Sequence, residues 1–167
     1  MRASEVLVDG FTRVQQAGRA ALAGLTPEQA SWRPDGHGNS VAWLVWHLTR
    51  VQDGHVADAF DAPQVWTSGG WAERFALPLD PHETGYGHTS EQVAAVQVAS
   101  VGLLREYLEA VHEVTVARVA ALADADLDRV VDESWDPPVT LGVRLVSVIA
   151  DDLQHAGQAA YVRGLLT

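Results

Sequence analysis

Residues 140–166 read TLGVRLVSVIADDLQHAGQAAYVRGLL, and this last long apolar stretch decides the fold. It predicts a helix from Thr140 to about Leu166 with apolar side chains nearly all round, which is typical of a helix buried on several sides. Asp151 and His155 lie one turn apart on this helix, about 40° from each other around its axis. Because buried polar groups are costly unless something pairs with them, the two side chains require a partner.

Three further helices are predicted upstream of this stretch. The first covers about residues 4–23. The second begins at Asn39 or Ser40, both of which are good N-caps, and runs to about Phe60. The third starts at the capping box of residues 89–92 and continues to about residue 123, a length that makes Gly102 a candidate bend. With no clear strand signal, four long helices predict an all-α bundle in one domain, residues 1–167.

A long irregular connection, residues 61–88, separates the second and third predicted helices. Irregular segments of this length are usually functional or disordered, and its aromatic residues argue against plain disorder. Its last part reads PHETGYGH, residues 81–88. The glycine residues could hinge over a site, with Tyr86 or His88 directed inwards. The alternative is an ordered connection that ends in a helix cap.

The composition restricts the function. The formal net charge is −11, and all eleven basic residues are Arg. Such a charge argues against binding to nucleic acid or to an anionic membrane surface, and favours small ligands or protein partners. The chain has no Cys, so any metal is bound through nitrogen and oxygen, and any thiol chemistry needs an external thiol. No segment has the pattern of a membrane span or a secretory signal, which makes the cytoplasm the expected compartment.

His47 lies among apolar residues on the second predicted helix, so it too should face the core. His47, Asp151 and His155 could therefore converge between two helices. Two imidazoles and one carboxylate with an open position are a common way to hold a catalytic divalent metal. The alternative is structural: Asp151 and His155 form a hydrogen-bonded pair along one helix, and His47 is a satisfied core residue.

Two segments, NSVAWLVWHL at residues 39–48 and DDLQHAGQ at residues 151–158, together resemble the DinB-like superfamily. The closer resemblance is to its branch of mycothiol-dependent S-transferases and maleylpyruvate isomerases. It implies a four-helix bundle with a divalent metal, zinc first and nickel or iron as alternatives, held by His47, Asp151 and His155. Asp151 stands where many members have His, and Ala156 where many have Arg. Gln158 could orient a ligand.

The resemblance also implies a function. The chain would be a divalent-metal-dependent S-transferase or isomerase that activates a low-molecular-weight thiol, mycothiol, for attack on a small electrophile in detoxification. Two other classes stay open: a non-enzymatic stress-response protein of the same fold that binds a metal or small ligand, and a structural helical dimer. A homodimer is consistent with each of them, because the last helix is apolar nearly all round.

Three further side chains are candidates near the site. Arg50 and Arg144 could bind carboxylates of the cosubstrate, and their alternative is surface ion pairing. His55 lies eight residues after His47, about 80° round the helix, so it could approach the site without being a metal ligand. Its alternative is a surface or interface histidine.

Overall fold

The computed structural model describes residues 1–166, and Thr167, the last residue of the expected domain, lies outside them. Four long helices and four short ones are joined by turns and by one small antiparallel sheet. The helices are α1 (Ala3–Leu22), α2 (Pro27–Ser31), α3 (Val41–Ala59), α4 (Val65–Ser68), α5 (Trp71–Phe75), α6 (Ser90–Ala95), α7 (Val101–Ala120) and α8 (Leu141–Gly164), and the strands are β1 (Val130–Asp132) and β2 (Val139–Thr140).

The predicted all-α bundle is confirmed. α3 packs against α7 and α8, and α1 packs against the same two helices, so α1 and α3 occupy opposite corners. α1 and α8 run in the same direction, since Gly10 lies against Ile149 and Arg163 donates to the carbonyl of Ala21. α3 runs opposite to α8. No helix within residues 1–166 is long and apolar enough to cross a membrane.

The long connection between α3 and α7 follows from the direction of these two helices. Tyr107 donates to Asp53, and Arg118 lies over the ring of Phe60, so α3 and α7 run side by side in the same direction. The 19-residue α3 is about 28 Å long, and the chain must return over this length before α7 begins. α4, α5 and α6 lie on the return.

The continuous third helix that the sequence predicts over residues 89–123 is wrong. α6 ends at Ala95, and α7 begins only at Val101. Between them Val96 and Val98 are buried while Gln97 is exposed, which is the two-residue alternation of an extended segment. Ser100 then caps α7, so Gly102 lies in a first helical turn and marks no bend.

The prediction that α8 is buried on several sides is also wrong. Its buried residues form one stripe that includes Leu145, Val148, Asp152 and Ala156. The opposite side is exposed and contains no charged residue; it is called here the outer face of α8, and its members are Val143, Val146, Ser147, Ala150, Leu153, Gln154, Gly157, Gln158, Ala160, Tyr161 and Gly164.

Candidate metal centre

The structure brings the three predicted ligands together where α3 packs against α8. His47 projects from α3, and Asp151 and His155 project from α8. One ligand atom from each residue lies within 4.8 Å of those of the other two. The ring centroids of His47 and His155 are 4.7 Å apart, and Asp151 Oδ2 is 3.7 Å from His155 Nε2.

Both imidazoles are held through Nδ1. His47 Nδ1 is 2.5 Å from the carbonyl oxygen of Thr84, and His155 Nδ1 is 3.0 Å from Oε1 of Gln158. Because a carbonyl oxygen only accepts, Nδ1 carries a proton in each ring, and in the neutral tautomer this leaves the Nε2 lone pair for a metal. Such second contacts orient the histidines of metal sites. Gln158 thus contacts His155 directly, and that it orients this ligand stays a prediction.

The contact between Asp151 and His155 favours a metal over the structural alternative. At 3.7 Å, Oδ2 and Nε2 are too far apart for a hydrogen bond. With both rings in the neutral form, a carboxylate and two nitrogen lone pairs face one another at this point. A cation would turn this repulsive arrangement into an attractive one, and the N,N,O set suits a divalent transition metal.

The centre is buried on the α3 side and open on the α8 side. His47 is only 5% exposed and stacks on Trp43, with ring centroids 4.6 Å apart. Burial lowers the pKa of His47, which favours the neutral form that binds metals. The side chain of Asp151, which the sequence placed on a buried face, is 46% exposed. It lies at the edge of the helix pair, so a ligand can approach the centre from that side.

Residues 81–88, called here the covering loop, lie over His47. Gly85 has φ +97°, and a Cβ atom at this position would lie 2.5 Å from His47 Nδ1 and 3.2 Å from Cζ2 of Trp43. A residue with a side chain would meet both a strained backbone and a clash, so only glycine permits this approach. The close approach brings the carbonyl of Thr84 to His47.

The two inward candidates of the covering loop have different positions. Tyr86 is 90% exposed and lines the open side of the site. The side chain of His88 is buried but is not part of the metal centre: its Nδ1 accepts from Trp43 Nε1 at 3.2 Å, and its Nε2 lies 3.1 Å from Glu83. His88 therefore ties the covering loop to α3.

A cavity of about 680 Å³ opens beside the centre, within the size range of small-molecule sites. Residues of α3, α8, the covering loop and the β1–β2 hairpin line it, and His47 and Asp151 lie on its wall. Trp135 at the tip of the hairpin is 66% exposed and contributes to the same lining.

The two candidate arginines and His55 all line this cavity. Arg50 is buried and donates to the carbonyl of Glu83 at 3.2 Å and to Gln64 at 2.9 Å, so it holds the long connection against α3. Arg144 contacts His55 and Asp132. That Arg50 and Arg144 bind a cosubstrate stays a prediction.

Two buried carboxyl groups near the site were not predicted. Asp53 accepts from the backbone N–H groups of Val65 and Trp66, at 2.8 and 2.7 Å, and from the hydroxyl of Tyr107 at 2.8 Å. Asp152 is fully buried, and neither of its oxygens has a hydrogen-bond partner within residues 1–166. Burial raises its pKa well above the ordinary value. A carboxylate in mid-helix is normally exposed, so the sequence contained no signal for either residue.

Comparison with known proteins gives the chain a family context. Residues 11–159 match the family model of the DinB superfamily. The chain is also similar to a solved structure, the crystal structure of a conserved protein from Enterococcus faecalis. The two are 35% identical with a TM-score of 0.91, and the match covers 98% of this chain and 96% of that one. No curated protein matches the chain significantly.

Proposed function

The chain belongs to the DinB superfamily, and from this premise we propose that it is a divalent-metal-dependent thiol S-transferase. Its nucleophile is a low-molecular-weight thiol, mycothiol in the first instance, and its second substrate is a small electrophile. The main support is the convergence of two imidazoles, each held through Nδ1, and one carboxylate at the edge of an open cavity.

His47, Asp151 and His155 fit a divalent cation by their donor chemistry, with zinc first and nickel or iron as alternatives. When bound, such a cation acts as a Lewis acid that favours the thiolate form of a thiol. His47, Asp151 and His155 would supply three ligands to such a cation, which would leave room for a substrate atom, as in catalytic sites.

The residues of the chain supply position and shelter. Thr84 and Gln158 fix the two imidazoles, and Trp43 with the covering loop shields His47 from water. In the transfer, the thiol proton passes to solvent, a sulfur–carbon bond forms, and the leaving group departs with its electron pair. The chain contributes no Cys, so the nucleophile comes from outside. The cytoplasm, where small thiols are kept reduced, suits this chemistry.

The test combines metal analysis with a conjugation assay. Elemental analysis of the untagged protein should find close to one divalent metal per chain, and His47→Ala and His155→Ala should lose it while remaining folded by circular dichroism. His37→Ala is the matched control, because His37 is exposed and is not one of the three clustered ligand residues. The metal-loaded protein should then accelerate formation of the fluorescent thioether from mycothiol and monochlorobimane.

The outcomes separate the remaining function classes. If the protein binds metal but consumes neither mycothiol nor other small thiols, the result would favour a non-enzymatic metal- or ligand-binding protein over an enzyme. No metal after incubation with zinc, nickel or iron(II) would refute the metal-dependent proposal altogether.

A further inference from the structure

The cavity beside the metal centre has a second polar end, formed by Arg144 and His55. We propose that this end binds the carboxylate of an elongated small molecule whose other end reaches the metal centre. The inference deepens the proposed function by naming the chemical class of a substrate. The reaction at the metal centre rests on the proposed function, whereas binding of the carboxylate at Arg144 and His55 does not.

The contact between Arg144 and His55 fixes the proton on the histidine. Arg144 Nη1 is 2.8 Å from His55 Nδ1. A guanidinium group can only donate, so Nδ1 accepts and the ring proton is on Nε2. His55 has an exposed edge, but the protein atoms around its ring and the neighbouring Arg144 cation both lower its pKa, in agreement with a neutral ring. His55 is therefore a neutral hydrogen-bond donor beside a cation.

Arg144 is held in place on its other side by the hairpin. Its Nη2 donates to Asp132 Oδ2 at 2.7 Å. These two bonds use two of the five N–H groups of a guanidinium, and within residues 1–166 the others have no hydrogen-bond acceptor, so a ligand can use them. The Asp132 carboxylate also accepts from the backbone N–H and the hydroxyl of Ser134, which spreads its charge over several donors. Arg144 is thus oriented without being fully occupied, a geometry suited to a carboxylate.

The distance between the two ends sets the length of the molecule. His47 and His55 are eight residues apart on α3, or about 12 Å, and Arg144 and Asp151 are seven apart on α8, or about 10 Å. The wall between the ends includes the uncharged residues Val51, Gly54 and Val148. Arg50 also lines it, but its guanidinium already donates to the carbonyl of Glu83 and to Gln64. The cavity therefore favours an apolar body of about eight to ten bonds in length, with a carboxylate at the end away from the metal.

Octanoate and 1-octanol form a matched pair of probes, because they share the chain and differ in the charged group. Isothermal titration of the protein as isolated should show octanoate binding about tenfold more tightly than 1-octanol, as expected for charge-assisted hydrogen bonds. Arg144→Gln should remove the preference. Arg105→Gln removes the same charge from an exposed position on α7 that is not part of the cavity lining, and should retain it.

Two further variants keep the test decisive. His55→Phe removes the Nε2–H donor but leaves the Arg144–Asp132 pair, so it should weaken octanoate binding without weakening that of 1-octanol. His47→Ala disables the candidate metal centre and should retain the preference for octanoate. Equal affinities of the two probes, a preference that survives in Arg144→Gln, or a preference lost only in His47→Ala would each overturn the proposal. None of these readouts depends on S-transferase activity.

Discussion

At the scale of single residues, Gly85 sets how closely the covering loop approaches His47. We expect Gly85→Ala to destabilise the protein by roughly 2–3 kcal/mol, since it combines a left-handed backbone with a clash at His47 Nδ1. The same shift should withdraw the Thr84 carbonyl and weaken metal binding. Thermal unfolding and metal titration of the variant measure the two effects.

Gly87 provides the control for this prediction. It also has a positive φ, +70°, but a Cβ atom there would meet nothing within 4 Å. Gly87→Ala should therefore cost only the conformational strain, about 1 kcal/mol, and leave metal affinity unchanged. If both variants lose metal equally, the close approach of Gly85 is not what positions His47.

Gln158 is expected to act on the metal through His155. Gln158→Leu removes the acceptor for His155 Nδ1–H, so the ring can rotate and change its tautomer. We expect metal affinity to fall about 10- to 100-fold, as is usual for the loss of such a contact. Gln154→Leu, one turn earlier, removes a side chain that donates to the carbonyl of Ala150 and should have no such effect in the same titration. Similar losses in both variants would contradict an orienting role.

The residues of the centre were only partly predictable from the sequence. The clustering of His47, Asp151 and His155 was predictable because helical spacing and a family resemblance can both be read from short segments. The pattern could not tell that Asp152, rather than its neighbour Asp151, is the fully buried carboxyl group. The pairing of His47 with Thr84 joins residues 37 positions apart and depends on the tertiary fold.

At the scale of elements, the long connection is ordered by one buried carboxylate. Asp53 caps the first turn of α4 through two backbone N–H groups and accepts from Tyr107 of α7. It also lies 3.8 Å from the buried guanidinium of Arg50. Asp53→Asn leaves one of these donors unpaired and Arg50 without its counter-charge, so we expect a loss of about 2–3 kcal/mol in urea denaturation.

Asp58→Asn is the matched control for this prediction, because Asp58 is an exposed aspartate on the same helix. Its change should stay within about 0.5 kcal/mol, as for most surface substitutions. A loss at Asp53 no larger than that at Asp58 would show that the connection is held by its other contacts, those of Arg50, His88 and the aromatic residues.

The predicted elements were right where local patterns decide and wrong where packing decides. The capping residues Ser40 and Thr89 mark helix starts correctly, because a cap is a contact within four residues. The break between α6 and α7 was missed, since helical periodicity continues through residues 96–100 while burial of Val96 and Val98 favours an extended backbone. The β1–β2 hairpin has strands of only three and two residues, too short to give a pattern.

At the scale of the whole molecule, charge is absent from one long surface. The chain has a net charge of −11, yet the outer face of α8 has no charged side chain over 24 residues. Two acidic molecules repel each other least where such faces meet, and small residues such as Ala150 and Gly157 permit two helices to approach closely. We therefore expect a homodimer in which the α8 outer faces of two copies are in contact.

Light scattering on the wild type should give twice the mass of the chain at micromolar concentration. The double variant Val146→Glu, Leu153→Glu places charges in the centre of the outer face, so it should be monomeric and folded. Val6→Glu, at an exposed position of α1, should remain dimeric. Because His47, Asp151 and His155 all come from one chain, the monomeric variant should still bind metal. If the wild type is monomeric, the outer face of α8 does not join two copies and is left to a different partner. If the monomeric variant loses its metal, the second copy supports the metal centre.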